Sequence, residues 1–296
     1  QIVLESGIIW DSGILIDNDE IKNFGKNIEI PEDAEIIDAG GAYVGPGFVD
    51  IHVHGGGGYN TIHEPKEAAE HFLKHGETTI LATPSYNKNF KEFLGGIRLI
   101  RKEMSNLRNV RGMYMEGPYT NPKYGSHSDL NPWRHPINPD EYKVLVDEAG
   151  ELAKVWTIAP EREGIFEFVE YAKKVNPDAV IAVGHSEATP EQIRNLGKYR
   201  PSLMTHAMNA TGRLPVGGGL RAYGPDEYCF QEPDMYAELI SDSCAIHVHP
   251  DMQRLLLHTK GINRVVLITD STSYANENPP QYAHITDLNF DHNGGL

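Results

Sequence analysis

The stretch "GPGFVDIHVHGGGG", residues 45–58, places two histidines at the end of an apolar run and four glycines after them. Residues two apart on a strand point to the same side, so His52 and His54 can both face one point. The glycines let the following chain pass close to that point without side-chain obstruction. The pattern predicts a strand that ends in a metal site. An exposed histidine pair beside a flexible loop is the alternative.

Beyond this stretch, short β-rich runs alternate with helical runs along most of the chain. Eight strands with crossover helices predict an α/β fold of the (β/α)8 TIM-like barrel type. An open doubly wound sheet is the alternative, although no G-x-G-x-x-G motif follows the first strand. The predicted strands are residues 48–55, 78–84, 110–118, 152–161, 179–186, 202–210, 235–242 and 264–271. The predicted helices are residues 64–76, 88–104, 164–175, 189–198 and 249–260.

The first 44 residues have a different character from the rest. They contain short strand-like runs separated by Gly, Asp and Asn, namely "IVLESGIIW", "GILIDNDEI" and "AEIIDAGGAYV". Such runs predict a small β layer. We therefore expect a small β domain over residues 1–44 and the barrel over residues 45–296.

The composition excludes several classes of function. The chain has 296 residues and a net charge of −16, which disfavours a nucleic-acid binder because such proteins need a basic surface. No apolar run reaches the ~20 residues of a membrane helix, and no signal segment opens the sequence. The two cysteines, Cys229 and Cys244, indicate neither a close-spaced metal pair nor a disulfide framework. We expect a cytoplasmic protein that acts on a small molecule, without nucleic acid or membrane as a partner.

Polar residues end four more of the predicted strands, where barrel enzymes collect their catalytic groups. These residues are Glu116, His185, His206 and Asp270. Alone, each carboxylate could cap a loop or helix, and each histidine could be a satisfied core residue. Together with His52 and His54 they favour one or two divalent metal ions, and zinc, iron, manganese and cobalt all suit these donors. Asp270 is best placed as the general base.

A set of motifs gives the chain a specific resemblance. In order they are "PGFVDIHVHG", "EGPYTNPKYGSH", "VGHSEAT", "THAMNA", "IHVHP" and "LITDS". The set resembles the N-acetylglucosamine-6-phosphate deacetylases of the amidohydrolase superfamily, from about residue 3 to residue 271. The resemblance implies a metal-dependent hydrolase that removes acetate from an amino sugar phosphate.

The resemblance also implies roles for individual residues. The principal metal ligands are Glu116, His185 and His206, while His52 and His54 match a second metal site that only some members keep. Asp270 matches the catalytic acid/base. The residues that match substrate contacts are His127, Asn209, Ala210 and His247. The implied molecule is a homodimer, and each subunit pairs the barrel with a small β-sandwich built from both chain ends.

The chain departs from the family pattern in two places. The loop after "NA" is shorter, which leaves Arg213 or Arg221 as the phosphate-binding arginine. The sequence after Asp270 differs, and the expected return of the chain to the β domain is absent from it. Three alternatives stay open: a deacetylase of another N-acyl sugar, an amidohydrolase of another substrate such as an acylated amino acid, and a non-catalytic relative.

Overall fold

The computed structural model describes residues 1–126, 128–213, 223–242 and 245–275. The chain divides into two compact units, Gln1–Phe48 and Val49–Leu296. The boundary lies four residues beyond the one expected from the change in sequence pattern, just after the first residue of the strand Phe48–Val53.

The first unit contains two antiparallel hairpins. Strand β1 (Ile2–Leu4) pairs with β2 (Gly7–Ile9), and β3 (Gly13–Asp17) pairs with β4 (Glu20–Gly25). Asn18, in the turn between β3 and β4, has a φ of 56°, a left-handed conformation that Asn tolerates better than most residues. The run "AEIIDAGGAYV" forms no strand of its own and contributes only an isolated bridge between Val44 and Ile2.

The second unit is built on an eight-stranded parallel sheet that curves into a nearly closed barrel. Two short strands that follow the first barrel strand pair with each other in a small hairpin of their own. The barrel prediction is confirmed, because all eight predicted strands are present in one sheet and neighbours in sequence are neighbours in space. In chain order the strands are β5 (Phe48–Val53), β6 (Gly55–Gly56), β7 (Tyr59–Asn60), β8 (Glu77–Ala82), β9 (Val110–Met115), β10 (Ala153–Ile158), β11 (Val180–Val183), β12 (Leu203–Met204), β13 (Tyr236–Ile240) and β14 (Val265–Ile268).

A buried carboxylate joins the first and last strands of the barrel. Asp50 on β5 accepts hydrogen bonds from the backbone N–H groups of His52, at 3.0 Å, and Thr269, at 2.9 Å. Just beyond, the Asp270 N–H donates to the His52 carbonyl at 3.1 Å, and the His54 N–H donates to the Ser271 carbonyl at 2.9 Å. These bonds hold the ends of β5 and β14 together where the predicted site residues lie.

The helices cover the outside of the sheet, as the alternation of strands and helices requires. All five predicted helices are present, and the helix predicted over residues 189–198 is shorter in the structure. Two helices were not predicted, although Asn138 and Pro139 form the usual start of a helix at the first of them. The helices are α1 (Pro65–Lys74), α2 (Phe90–Glu103), α3 (Pro139–Ala149), α4 (Ile165–Val175), α5 (Pro190–Arg194), α6 (Pro225–Gln231) and α7 (Pro250–Lys260). None of the helices in the described ranges has the length and apolarity to cross a bilayer.

The hydrophobic core lies between the strands and these helices. Phe93 and Ile97 of α2 and Phe168 of α4 are buried against side chains such as Met113 and Trp156. Inside the barrel the packing is partly polar. The Tyr114 hydroxyl lies 2.7 Å from the Thr205 hydroxyl, which lies 2.9 Å from that of Thr157. This polar layer forms a rigid floor below the carboxyl ends of the strands.

Candidate metal centre

Six of the residues singled out from the sequence converge at the carboxyl end of the barrel. His52 lies on β5 and His54 directly follows it, while Glu116 follows β9. The other three follow β11, β12 and β14, and they are His185, His206 and Asp270. Because carboxyl ends of parallel barrel strands share one rim, residues far apart in sequence meet there.

The first group of possible metal ligands is His52, His54 and Glu116, whose ligand atoms lie within 4.8 Å of one another. The Nε2 atom of His52 lies 3.8 Å from Glu116 Oε1, and that of His54 lies 3.5 Å from Glu116 Oε2. Asp270 Oδ1 lies 3.6 Å from His52 Nε2 and 3.1 Å from His54 Nε2. The carboxylates of Glu116 and Asp270 therefore face the same two imidazoles.

The second group is Glu116, His185 and His206, whose ligand atoms also lie within 4.8 Å of one another. Glu116 Oε1 lies 2.7 Å from His185 Nε2 and 3.2 Å from His206 Nε2. The two imidazole nitrogens lie 3.1 Å from each other. Glu116 belongs to both groups: Oε1 lies nearest to His185 and His206, and Oε2 faces His54. This is the arrangement expected of a residue that bridges two ions.

The partners of the Nδ1 atoms explain why the Nε2 atoms face the centre. His54 Nδ1 lies 3.0 Å from the Thr83 carbonyl, and His206 Nδ1 lies 3.2 Å from the Asn209 carbonyl. A carbonyl oxygen accepts but does not donate, so each Nδ1 carries the proton. The Nε2 lone pair of each ring is then free for a metal ion, as is usual for metal-binding histidines.

Backbone strain is concentrated at the same rim. His185, His206 and Asp270 have positive φ angles of 45°, 26° and 50°. Residues other than glycine rarely adopt this conformation, and such strain is found preferentially at functional sites. The strained backbones turn the three side chains toward the centre at the point where each strand ends.

The electrostatics of the cluster favour a cation. Burial would lower the pKa of His52, but the carboxylates of Asp270 and Glu238 outweigh it and raise the pKa well above its ordinary value. Burial would raise the pKa of Glu116, but the neighbouring His185 holds it well below its ordinary range. Without an ion, a proton on His52 balances part of this buried negative charge.

The donor set fits a divalent metal ion. His52 Nε2 and Glu116 Oε2 are buried and have no hydrogen-bond partner among the described residues. Orphaned buried polar atoms are costly, and a metal ion that accepts their lone pairs removes the cost. Imidazole and carboxylate donors suit zinc and its neighbours among the divalent transition metals. The two groups could therefore hold one ion each.

A cavity of about 810 Å³ opens from the centre to solvent. Three residues expected to contact substrate, Asn209, Ala210 and His247, line this cavity together with Asp270. The Asp270 side chain is 18% exposed, so its carboxylate is accessible from the cavity, whereas His52 is completely buried beneath. The His247 ring is half exposed, and its Nδ1 atom lies 3.1 Å from Asp242.

Arg213 lies away from this cavity. It lines a neighbouring cavity of about 400 Å³ that it shares with His247, and its Nε atom forms an ion pair with Glu227 at 2.7 Å. Arg213 thus lies close to His247, another expected substrate contact, but its guanidinium group is paired with the Glu227 carboxylate. Two further residues, His127 and Arg221, lie outside the described residues.

Three residues that support the centre were not identified from the sequence. Glu238 on β13 accepts a hydrogen bond from His52 Nδ1 at 3.1 Å, and Tyr114 on β9 stacks on the His52 ring at a centroid distance of 4.3 Å. Asp50 holds the His52 backbone, as described above. A charge inside the apolar run "YAELI" was the available signal for Glu238. The residue that pairs with this charge could not be predicted, because the pairing exists only in the folded structure.

Comparison with known proteins places the chain in a family. The model of the amidohydrolase family matches residues 43–283. The chain belongs to this family and is a hydrolase that acts on amide bonds.

Individual relatives are deacetylases. The N-acetylglucosamine-6-phosphate deacetylase of Bacillus subtilis (strain 168) is 28% identical, over 90% of this chain and 71% of its own length. A mutant of the Mycobacterium smegmatis enzyme of that name, solved in complex with N-acetyl-D-glucosamine-6-phosphate, is 27% identical with a TM-score of 0.72, over 90% of this chain and 68% of that one. The N-acetylgalactosamine-6-phosphate deacetylase of Escherichia coli O157:H7 is 27% identical over 79% of this chain and 60% of its own length.

Proposed function

We propose that the protein hydrolyses the N-acetyl group of N-acetylglucosamine 6-phosphate, giving glucosamine 6-phosphate and acetate. The observation that supports this most is the pair of ligand groups joined by Glu116, with Asp270 beside them at the floor of an open cavity. The names and the substrate complex of the relatives support the choice of substrate.

The residues that would hold the ions are His52, His54, Glu116, His185 and His206. When bound, a divalent ion at this centre supplies Lewis acidity, which lowers the pKa of a water molecule and polarises the acetamide carbonyl. Zinc, iron, manganese and cobalt are the candidates that the donor set supports.

Asp270 is proposed to move the proton. The imidazoles of His52 and His54 outweigh the effect of burial and hold the pKa of Asp270 well below its ordinary range, so the group is a carboxylate at neutral pH. It accepts a proton from water as the new C–O bond forms. It then returns that proton to the nitrogen as the C–N bond breaks, so that the amine leaves neutral.

Contacts remote from the acetamide are proposed to orient the sugar phosphate. Asn209, Ala210 and His247 line the cavity on one side of the centre, and Arg213 lies in the adjoining cavity. Binding energy from a phosphate at that end would fix the acetamide against Asp270, which raises the rate through orientation. His127 is proposed as a further substrate contact on the strength of the family resemblance alone.

Two observations separate this proposal from other amidohydrolase chemistry. The end of β10 carries Glu161 and no lysine, whereas many two-metal amidohydrolases use a modified lysine at that place. Glu161 accepts hydrogen bonds from Asn121 Nδ2 at 2.8 Å and Ser186 Oγ at 2.7 Å, so both of its carboxylate oxygens already have partners. Glu116 is left as the residue that can bridge both groups, which supports the sugar-phosphate deacetylases over the other branches.

A second candidate substrate is N-acetylgalactosamine 6-phosphate, which the Escherichia coli relative's name supports. The two sugars differ in the configuration of one hydroxyl group. Discrimination between them therefore depends on polar contacts to that hydroxyl, and such contacts can give large differences in rate.

The direct test is acetate release by the metal-reconstituted protein from four sugars: the two 6-phosphates and their unphosphorylated counterparts. We expect N-acetylglucosamine 6-phosphate to react fastest and both unphosphorylated sugars to react slowly. Equal rates with and without phosphate would contradict the phosphate contacts. Absence of acetate release from all four, with metal bound, would contradict the proposed function.

The homodimer that the resemblance implies is also a proposal. Light scattering combined with size-exclusion chromatography tests it, and a mass of one chain at micromolar concentration would contradict it.

A further inference from the structure

Glu238 is a charged side chain in the interior of the barrel. It lies in the middle of β13, between the core residues Ala237 and Leu239, and it is completely buried. Burial of an ionised carboxylate is costly unless hydrogen bonds and an opposite charge compensate it. Hydrogen-bond donors and a positive charge are therefore needed to stabilise Glu238 at this position.

One carboxylate oxygen of Glu238 contacts both groups of metal ligands. Oε2 accepts from His52 Nδ1 at 3.1 Å and from the backbone N–H of His206 at 3.0 Å. Oε1 has no hydrogen-bond partner among the described residues. Among the described residues, Glu238 forms an ion pair with His52 alone. The positive charge that balances Glu238 is therefore on the His52 ring or on whatever that ring binds.

His52 differs in this respect from two other histidines of the centre. The Nδ1 atoms of His54 and His206 face the carbonyl groups of Thr83 and Asn209, which are neutral acceptors. The Nδ1 atom of His52 faces a carboxylate. A carboxylate behind a metal-binding imidazole fixes the tautomer and raises the basicity of the ligating nitrogen. Tyr114 also stacks on the ring, with an interplanar angle of 28°, and so limits its rotation.

We propose that Glu238 is a positioning residue for His52 and sets the affinity of the ion held by His52, His54 and Glu116. It holds the Nδ1–H proton, directs the Nε2 lone pair into the centre and supplies negative charge behind the ligand. The proposal rests on the metal centre of the proposed function. The ion held by Glu116, His185 and His206 depends on Glu238 much less, because a neutral oxygen can accept the His206 N–H equally well.

The test is the Glu238→Gln variant, with zinc affinity and stoichiometry measured by competition with a chromophoric chelator. Glutamine has nearly the same shape and keeps an oxygen that can accept from His206. We expect one zinc ion per chain to bind at least ~10-fold more weakly and the other to bind as in the unmodified protein. Asn109→Ala is the matched control, because it removes a buried side chain that bonds the Ala69 and Glu77 carbonyls, away from the centre.

A double-mutant cycle shows whether Glu238 acts through His52. In a His52→Ala background, Glu238→Gln should leave the affinity of the remaining zinc ion unchanged within about twofold. An equal loss of affinity with and without His52 would overturn the proposal, because it would show action through His206 or the fold. Two zinc ions bound with unchanged affinity in the single variant would also overturn it.

These measurements use zinc alone, so they separate the proposal from the choice of substrate. A protein that releases no acetate but loses one zinc ion on Glu238→Gln would support the proposal and contradict the proposed function. Should the variant not fold, zinc-loaded protein labelled with 15N-histidine gives a second test. Its NMR spectrum should show one Nδ1–H signal further downfield than the others, and this signal should be missing in His52→Ala. A spectrum of the unmodified protein without such a signal would count against the role of Glu238.

Discussion

At the scale of single residues, Asp270 has the most demanding of the proposed roles. It lies 3.1 Å from His54 Nε2 and faces the cavity, and its carboxylate is stabilised in the ionised form. We expect Asp270→Asn to keep the metal content and to lower kcat by roughly 10²-fold or more, because the amide cannot accept the proton from water. Steady-state acetate release and elemental analysis on the same preparation check this. Turnover close to that of the unmodified protein would remove Asp270 from the role.

Protons and metal ions compete for the same imidazoles. Burial lowers the pKa of His52 and His206, but Asp270 and Glu116 outweigh it and raise both. The pKa of His52 is raised to about 10, so this ring is protonated at neutral pH when no ion is bound. An ion must displace a proton from it, and the affinity of the ion should therefore rise as the pH rises and fall as the pH falls.

Calorimetry checks the proton release directly. Zinc binding measured at pH 7 in two buffers of different ionisation enthalpy should give different heats, corresponding to release of at least one proton per chain. Identical heats in both buffers would contradict the protonation state that the carboxylates impose on the centre.

The proposed metal ligands were visible in the sequence, while the side chains that support them were not. His52 and His54 are two apart on a strand, and Glu116, His185 and His206 end strands, so periodicity and position identified them. Glu238 and Tyr114 have no such pattern. Their importance comes from neighbours on β5, and that proximity exists only once the barrel is formed.

At the scale of elements, Lys260 shows how a buried cation stabilises a helix end. It ends α7, is 8% exposed, and donates from Nζ to the carbonyls of Cys229, at 3.0 Å, and Glu232, at 2.6 Å. These carbonyls belong to the end of α6, where helices leave acceptors unsatisfied. Lys260 therefore ties the ends of two helices together.

We expect Lys260→Met to lower the free energy of unfolding by about 1–3 kcal/mol, because two carbonyls lose their donor in a buried setting. Urea denaturation followed by circular dichroism measures the change. Lys174→Met, at an exposed lysine of α4, is the control and should be nearly neutral. Equal stability of the two variants would show that the Lys260 contacts contribute nothing.

The strands of the barrel were easier to predict than some of its helices. Each strand is an apolar run bounded by turn residues, so its position follows from local pattern. Helices α3 and α6 lie in long connections rich in polar and aromatic residues. Their capping residues, Asn138 before α3 and Gly224 with Glu227 at α6, were the signals available. The run at residues 34–44 had strand-like composition but forms no ladder, because local propensity does not supply a pairing partner.

At the scale of the whole molecule, the net charge of −16 and the carboxylates at the centre both favour a bound cation. An ion that binds the folded chain and not the unfolded one stabilises it by mass action. The gain is about 4 kcal/mol when the free ion exceeds its dissociation constant 1,000-fold. We expect chelation to lower Tm by several degrees and added zinc to restore it. A Tm that chelator and zinc leave unchanged would mean that the centre holds no ion tightly.

The barrel unit could be predicted as a whole from the order of its motifs, since its strands follow one another in space as in sequence. The first unit could be predicted less completely. The hairpin of β3 and β4 turns at Asn18 and Asp19, in agreement with the Gly, Asp and Asn residues that separate the strand-like runs. The β-sandwich that the family resemblance implies stays a prediction.

Hydrolysis is proposed to depend on ions held by five ligands, four histidines and Glu116. The most direct test is acetate release from N-acetylglucosamine 6-phosphate by metal-free protein during stepwise addition of zinc. We predict that activity is absent without metal, rises in proportion to zinc and stops rising at one or two ions per chain. Acetate release by the metal-free protein at the same rate as by the zinc-loaded protein would contradict this dependence on metal.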